Sequence, residues 1–98
     1  MFWVYVLQCR DGSYYTGHTD DLEKRFSQHR AGEIPDCYTA TRLPVRLVFQ
    51  QTHATREEAL GAERQIKGWG RAKKRALISG DWEGLSRLSR SRDKGDGD

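Results

Sequence analysis

The chain opens with Phe2-Trp3-Val4-Tyr5-Val6-Leu7, an unbroken run of aromatic and aliphatic side chains that predicts a strand over Phe2–Gln8. Cys9-Arg10-Asp11-Gly12-Ser13 is a turn signal, and Tyr14–Thr19 regains strand character, so the first feature is a β-hairpin. Its loop length decides which side chains share a face. A three-residue loop with Gly12 in the left-handed conformation pairs Cys9 with Ser13, Leu7 with Tyr15 and Tyr5 with Gly17, which sets Tyr5 and Tyr15 on one face. A loop of two or four residues shifts the pairing by one and sends the tyrosines to opposite faces.

The period then changes. Thr19 or Asp20 is placed to cap a helix with Asp20, Asp21 and Glu23 at the positive end of its dipole, and Gly32 ends that helix after residue 31. At about 100° per residue Leu22 and Phe26 form the apolar stripe. Arg25 and His29 lie on the flank of that stripe and point toward the sheet, whereas Glu23, Lys24, Ser27 and Gln28 face solvent. Residues 33–43 read as an irregular connection, and a third strand is predicted over 45–51, entered after Pro44. Thr55-Arg56-Glu57-Glu58 is a capping box opening a second helix, with Ala59, Ala62 and Ile66 on one side. Glu63 lies about 40° from Ala59, a carboxylate inside the apolar stripe. Gly68-Trp69-Gly70 breaks the helix, and residues 71–78 predict a third whose Ala76, Leu77 and Ile78 dock while its lysines face water. The expected organisation is one domain over 1–83 and a polar tail over 84–98, its last dozen residues without order.

Composition adds limits. The 98 residues allow one small domain. The 17 Lys and Arg exceed the 14 Asp and Glu by three, but 13 of the cations and only 9 of the acids lie in residues 1–79, so the excess belongs to the folded part. Arg64, Lys67, Arg71, Lys73, Lys74 and Arg75 follow one another with no intervening acid. Such a run suits a polyanion, and equally a solvated helix face. No stretch approaches the roughly 18 apolar residues of a membrane span, and the start lacks a secretory pattern, which together predict a cytoplasmic protein with no membrane partner. Cys9 and Cys37 are too few for a zinc site and read as free thiols.

Five polar residues are turned inward by these patterns: Tyr5, Tyr15, Arg25, His29 and Glu63. Each has an ordinary structural role open to it. The tyrosines can pack a hairpin, Arg25 can pair with Asp21, His29 can cap a helix dipole, and Glu63 can pair with Lys67 four residues on. Together they also suit phosphodiester hydrolysis, which needs an activated water, charge neutralisation at phosphorus and help for the leaving oxygen. A single carboxylate suits a divalent ion that keeps waters and substrate oxygens, and an arginine fork suits phosphate. A tyrosine serves as base only where neighbouring cations lower its pKa from about 10.

Val4-Tyr5-Val6, then Tyr15-Thr16-Gly17, then Asp20-Asp21-Leu22-Glu23-Lys24-Arg25 with His29 following, resembles the GIY-YIG endonuclease superfamily, and within it the small stand-alone bacterial branch. The likeness continues through Cys37-Tyr38-Thr39, Arg42-Leu43-Pro44-Val45 and Glu63-Arg64-Gln65-Ile66-Lys67 to Leu77-Ile78, over residues 2–83. It implies an α/β domain, a small three-stranded antiparallel sheet flanked by helices, that cuts DNA with one divalent metal ion, Mg²⁺ or Mn²⁺. By position it implies Tyr5 as general base, Tyr15 to position water or phosphate, and Arg25 to stabilise the phosphate. His29 would assist proton transfer, Glu63 would be the sole protein metal ligand, and Gly17 would keep the pocket open. Lys67, Arg71, Lys73 and Lys74 would track the nucleic-acid backbone with little sequence preference and strong salt dependence. No DNA-reading module follows, so substrate selection is expected from a protein partner or from DNA shape, as in repair or recombination.

Two readings stand beside each other: a metal-dependent nuclease, and a module that keeps the fold and binds nucleic acid or a partner without cutting. A third takes the basic run as the solvated helix of a structural adaptor. The nuclease reading expects all five inward residues to line one concave pocket, with Glu63 on the tyrosines' side of the sheet.

Overall fold

The structure is a computed structural model describing residues 1–34 and 37–93. Three antiparallel strands, β1 (Phe2–Gln8), β2 (Tyr14–Thr19) and β3 (Arg46–His53), form a sheet in the order β2-β1-β3. β1 takes the centre because its apolar run can be covered on both faces: Val4, Tyr5, Val6 and Leu7 are all buried. The more polar β2 and β3 take the flanks. β3 begins and ends slightly later than the alternation predicts, and its register against β1 shifts at a bulge between Val6 and Leu7.

The turn resolves to the three-residue form. Cys9 N–H donates to Ser13 O at 2.8 Å, Gly12 N–H donates to Cys9 O at 2.9 Å, and Gly12 has φ 86°. Asp11 braces the loop by accepting from Ser13 N–H at 3.0 Å. Leu7 therefore faces Tyr15, and Tyr5 faces Gly17.

Helix α1 (Leu22–Arg30) is capped by Asp21, which accepts from Lys24 N–H at 3.1 Å, rather than by Thr19 or Asp20. Thr19 serves one step earlier, its hydroxyl accepting from Asp21 N–H at 3.1 Å. The helix stops in a Schellman arrangement: Gly32 N–H bonds His29 O at 3.1 Å and Glu33 N–H bonds Gln28 O at 2.9 Å, with Gly32 at φ 68°. Within the irregular connection the chain forms a short 3-10 helix, Tyr38–Thr41. Tyr5, Leu7, Cys9 and Val45 make the core of this sheet face, with Tyr15, Leu22, Phe26, Leu43 and Leu47 packed against it.

Helix α2 (Arg56–Lys67) starts at the predicted capping box: Glu58 N–H donates to Thr55 Oγ1 at 3.1 Å, while the Glu58 carboxylate accepts from Ala54 N–H at 3.2 Å. α2 packs along β2 and β1, and its Ala59 and Ile66 are buried.

The chain divides into two compact units, Met1–Lys67 and a helical unit from Gly68 onward. In the second unit, α3 (Arg71–Ser79) ends at Gly80 in the left-handed conformation, and α4 (Trp82–Asp93) packs against it. α4 occupies residues expected to belong to a structureless tail. Asp81 caps it by accepting from Gly84 N–H at 2.9 Å, and Leu85 and Leu88 supply the partly buried side at i,i+3 spacing. Residues 94–98 lie outside the described residues. No helix of the described residues is long and apolar enough to cross a membrane.

Candidate active site

The hairpin register brings the tyrosines together. Pleating puts Tyr5, Tyr15 and Gly17 on one face of the sheet. Since Gly17 has no side chain, the Tyr5 phenol lies over β2 where a Cβ would otherwise stand, 2.6 Å from its hydroxyl oxygen. The two phenol rings are 6.4 Å apart. His29 descends onto them from α1, one turn beyond Phe26, with its ring centroid 5.8 Å from that of Tyr5 and 5.1 Å from that of Tyr15. Its exposure is 1%, and Tyr5 Oη sits 3.0 Å from Nε2. On the far side Nδ1 lies 2.8 Å from Thr39 Oγ1, and the Thr39 hydroxyl is 3.4 Å from Cys37 Sγ. Cys9 and Cys37 are free thiols.

Charge in this cluster is set by burial first. Burial pushes the Tyr5 phenol well above its ordinary value, the neighbouring Tyr15 adds to the rise, and the Arg25 charge opposes it. Burial, followed by Cys37 and Glu63, pushes Tyr15 up to about 12 against the same opposition. Burial, helped by Arg25, pushes His29 down to about 4. At neutral pH the cluster is thus two phenols and a neutral imidazole. His29 brings no positive charge to lower Tyr5, and Arg25 alone does not overcome desolvation. Arg25 is half-buried and opens into a cleft of about 430 Å³ lined also by Thr19, Asp20, Asp21, Lys24 and Gln28.

Glu63 forms a second group. The alternation that turns Tyr15 and Gly17 toward α1 turns Thr16 and His18 to the other face, and His18 Nδ1 meets Glu63 Oε1 at 2.5 Å. Glu63 is thus partnered by His18 rather than by a tyrosine, and the site is built of two groups that meet at β2. They remain coupled at that edge strand. Lys67 Nζ lies 2.7 Å from Glu63 Oε2 and 5.9 Å from the centre of the Tyr15 ring, and the Glu63 charge raises both phenols. Burial alone would raise the Glu63 carboxyl, but hydrogen bonds and charge from Lys67 and His18 outweigh it and hold the pKa below its ordinary value. Glu63 is a carboxylate at neutral pH.

The basic residues divide between the two units. Lys67 belongs to the first and is engaged by Glu63. In the second, Lys73 Nζ sits 4.5 Å from the centre of the Trp69 ring, and Lys74 is half-buried, its pKa lowered by burial and by Arg71. Arg71 is exposed. The expectation that the α3 lysines simply face water gives way to partial cover, because both have stems long enough to lie along apolar surface.

A family model described as the GIY-YIG catalytic domain matches residues 1–76. This chain belongs to the GIY-YIG family. UPF0213 proteins are among its relatives: one from Streptococcus pneumoniae is 44% identical over 79% of this chain and 77% of its own. Another from Staphylococcus saprophyticus is 46% identical over 79% of this chain and 93% of its own. The solution NMR structure of a UPF0213 protein from Bacillus halodurans, 40% identical, aligns over 91% of this chain and 98% of its own with a TM-score of 0.53. That of a protein from E. faecalis, 30% identical, aligns over 98% of this chain and 91% of its own with a TM-score of 0.51. The three-stranded sheet with flanking helices is therefore the fold of these GIY-YIG relatives too. The superfamily is one of endonucleases that generally use a divalent metal.

Among the described residues no group of three or more His, Cys, Asp or Glu side chains could enclose a metal ion. Glu63 fits the other arrangement, a lone ionised carboxylate whose ion would be completed by waters and substrate oxygens. Three residues of the site have no role assigned by the sequence pattern: His18, Thr39 and Cys37. His18 differs from Tyr15 only in strand parity, and that signal becomes readable once α2 is known to cover its face. Thr39 and Cys37 stand in an irregular connection where no periodicity aims a side chain.

Proposed function

We propose that this chain is a GIY-YIG endonuclease hydrolysing DNA phosphodiester bonds with Mg²⁺ or Mn²⁺ and little sequence preference. Substrate choice would rest on branched or damaged DNA shape, or on a protein partner, within repair or recombination in the cytoplasm. The observation that carries this reading is the Tyr5 hydroxyl held 3.0 Å from the neutral Nε2 of His29 over the gap left by Gly17. A phenol that donates to an imidazole leaves its oxygen lone pairs free to accept from water. As the water loses a proton to Tyr5 Oη, Tyr5 hands its own proton to Nε2, so no free phenolate has to form at its raised pKa. Tyr15 faces the same volume and would orient the water or the phosphate. Arg25 would meet the phosphate from its cleft with a planar fork, and Lys67, Arg71, Lys73 and Lys74 would hold the backbone. Glu63 would hold the divalent ion, which supplies Lewis-acid stabilisation of charge developing on the phosphate. For the ion to reach it, the exposed Lys67 ammonium must leave Oε2.

That last point also favours the second reading. Both Glu63 oxygens already have cationic or donor partners in His18 and Lys67. A protein that keeps them so would bind nucleic acid without cutting it. Incubation of purified protein with plasmid, branched and single-stranded DNA, with Mg²⁺, Mn²⁺ or chelator, separates the two. The nuclease reading expects metal-dependent products that disappear in Tyr5→Phe and Glu63→Ala. Products absent on every substrate, with salt-sensitive DNA retention intact, would support the binding module instead.

A further inference from the structure

We propose that Thr39 is a positioning residue that fixes the tautomer of His29, leaving Nε2 unprotonated to receive the Tyr5 proton. This deepens the nuclease reading and rests on it for its use, though not for its test.

The assignment follows from counting protons along a buried chain. A neutral imidazole carries one N–H, so one ring nitrogen donates and the other accepts. Tyr5, a phenol here, has its O–H within 3.0 Å of Nε2, and Thr39 Oγ1 lies 2.8 Å from Nδ1. The Thr39 hydroxyl proton is directed to Cys37 Sγ at 3.4 Å, which leaves Oγ1 as an acceptor toward the ring. With the Thr39 hydroxyl on Cys37 Sγ, every group is satisfied: Tyr5 O–H donates to Nε2, Nδ1–H donates to Thr39 Oγ1, and Thr39 O–H donates to Cys37 Sγ. The reverse tautomer requires the Tyr5 O–H to turn away from Nε2 and the Thr39 O–H to leave Cys37 Sγ for Nδ1, two rearrangements that the recorded geometry does not need. Thr39 is buried to the same degree as His29, each 1% exposed, so water does not replace the missing partner. The only other polar atom recorded beside Nδ1 is Cys37 Sγ at 3.9 Å, a weak acceptor at long range.

The consequence for the reaction is a balanced transfer. Water gives a proton to Tyr5 Oη, the Tyr5 O–H bond breaks toward Nε2, and the resulting imidazolium keeps its Nδ1–H on Thr39. With Thr39 absent the ring is free to carry its proton on Nε2, and the path from Tyr5 is closed although every reacting group is present. This is the relation of an orienting partner to a functional histidine, whose removal costs about 10- to 100-fold in activity.

Long-range ¹H–¹⁵N correlation spectra of the uniformly labelled chain report the tautomer directly, with His29→Gln assigning the ring among the three histidines of the sequence. The expected result at neutral pH is a pyrrole-like Nδ1 and a pyridine-like Nε2 in the wild type and in Thr39→Ser, with loss of that pattern in Thr39→Val. An Nε2–H tautomer in the wild type overturns the proposal without any variant, as does a folded Thr39→Val that keeps the Nδ1–H pattern. Where metal-dependent cleavage is present, Thr39→Val should lower kcat by about 10- to 100-fold at unchanged KM, and Thr39→Ser should recover it. Unchanged kcat in the valine variant also overturns it. The spectra remain decisive in a protein that cuts nothing, so failure of the nuclease reading and failure of this one are separable.

Discussion

The Tyr5 phenol rests across β2 at Gly17, with its hydroxyl oxygen 2.6 Å and its Cζ 2.7 Å from the place of a missing Cβ. The contact is with a ring packed against Tyr15 and His29, so the ring has little room to retreat. Gly17→Ala should therefore destabilise the fold by about 1–3 kcal/mol, as overpacking does. It should also push the phenol away from His29. Urea denaturation reads the first effect, and loss of the Tyr5-linked shift at His29 Nε2 reads the second. A variant with wild-type stability would mean that β2 yields more than its pairing with β1 suggests.

His29 predicts an acid limit on stability. It is pushed down to about 4 by burial, whereas an unfolded histidine titrates near 6.5. As pH falls through that window the unfolded chain takes up a proton that the folded chain refuses, and stability declines. The contribution is complete above about 6.5 and the loss approaches about 3 kcal/mol near pH 4. Denaturation midpoints measured from neutral pH down to about 4.5 should fall more steeply in the wild type than in His29→Gln. Parallel curves would show that the imidazole charges without cost.

Lys67 and Glu63 give opposite expectations. Glu63→Gln removes the ligand charge and should abolish metal stimulation of cleavage, by about 100-fold or more. Lys67→Ala frees Oε2 and should lower the Mg²⁺ concentration needed for half-maximal cleavage several-fold. If the carboxylate takes up no metal, as the binding-only reading has it, Lys67→Ala instead leaves Mg²⁺ without effect.

DNA affinity should follow phosphate contacts. Removing Lys73 charge by Lys73→Ala should weaken binding to unrelated duplexes equally and reduce the slope of log affinity against log salt by about 1. Sequence-dependent losses in a filter-retention series would argue against backbone tracking by this side chain.

Much of this arrangement is legible in the sequence because its causes are local. Cys9 to Ser13 announces a turn, and Gly12 in the left-handed conformation selects among its possible lengths the one whose strand parity brings Tyr5, Gly17 and Tyr15 together. Thr55 and Glu58 place the start of α2 within a residue. The side of the sheet taken by Glu63 is not local. It depends on which face α2 covers, and the helix pattern of Ala59, Ala62 and Ile66 fits either face equally well. Thr39 is hidden for another reason, since its hydroxyl is aimed by a one-turn 3-10 helix whose sequence carries no period. α4 is missed because Arg and Ser dilute a side of two leucines that only an adjacent helix makes worth burying.

The stop of α1 sets where the imidazole stands. Gln28 and His29 both give their carbonyls to the chain that leaves through Gly32. Sliding α1 along its axis would unmake both bonds, so the height of the imidazole above the sheet is held by the backbone as well as by the packing of Leu22 and Phe26. Outward positions such as Glu23 and Ser27 can then change in charge and size while the ring stays at its station.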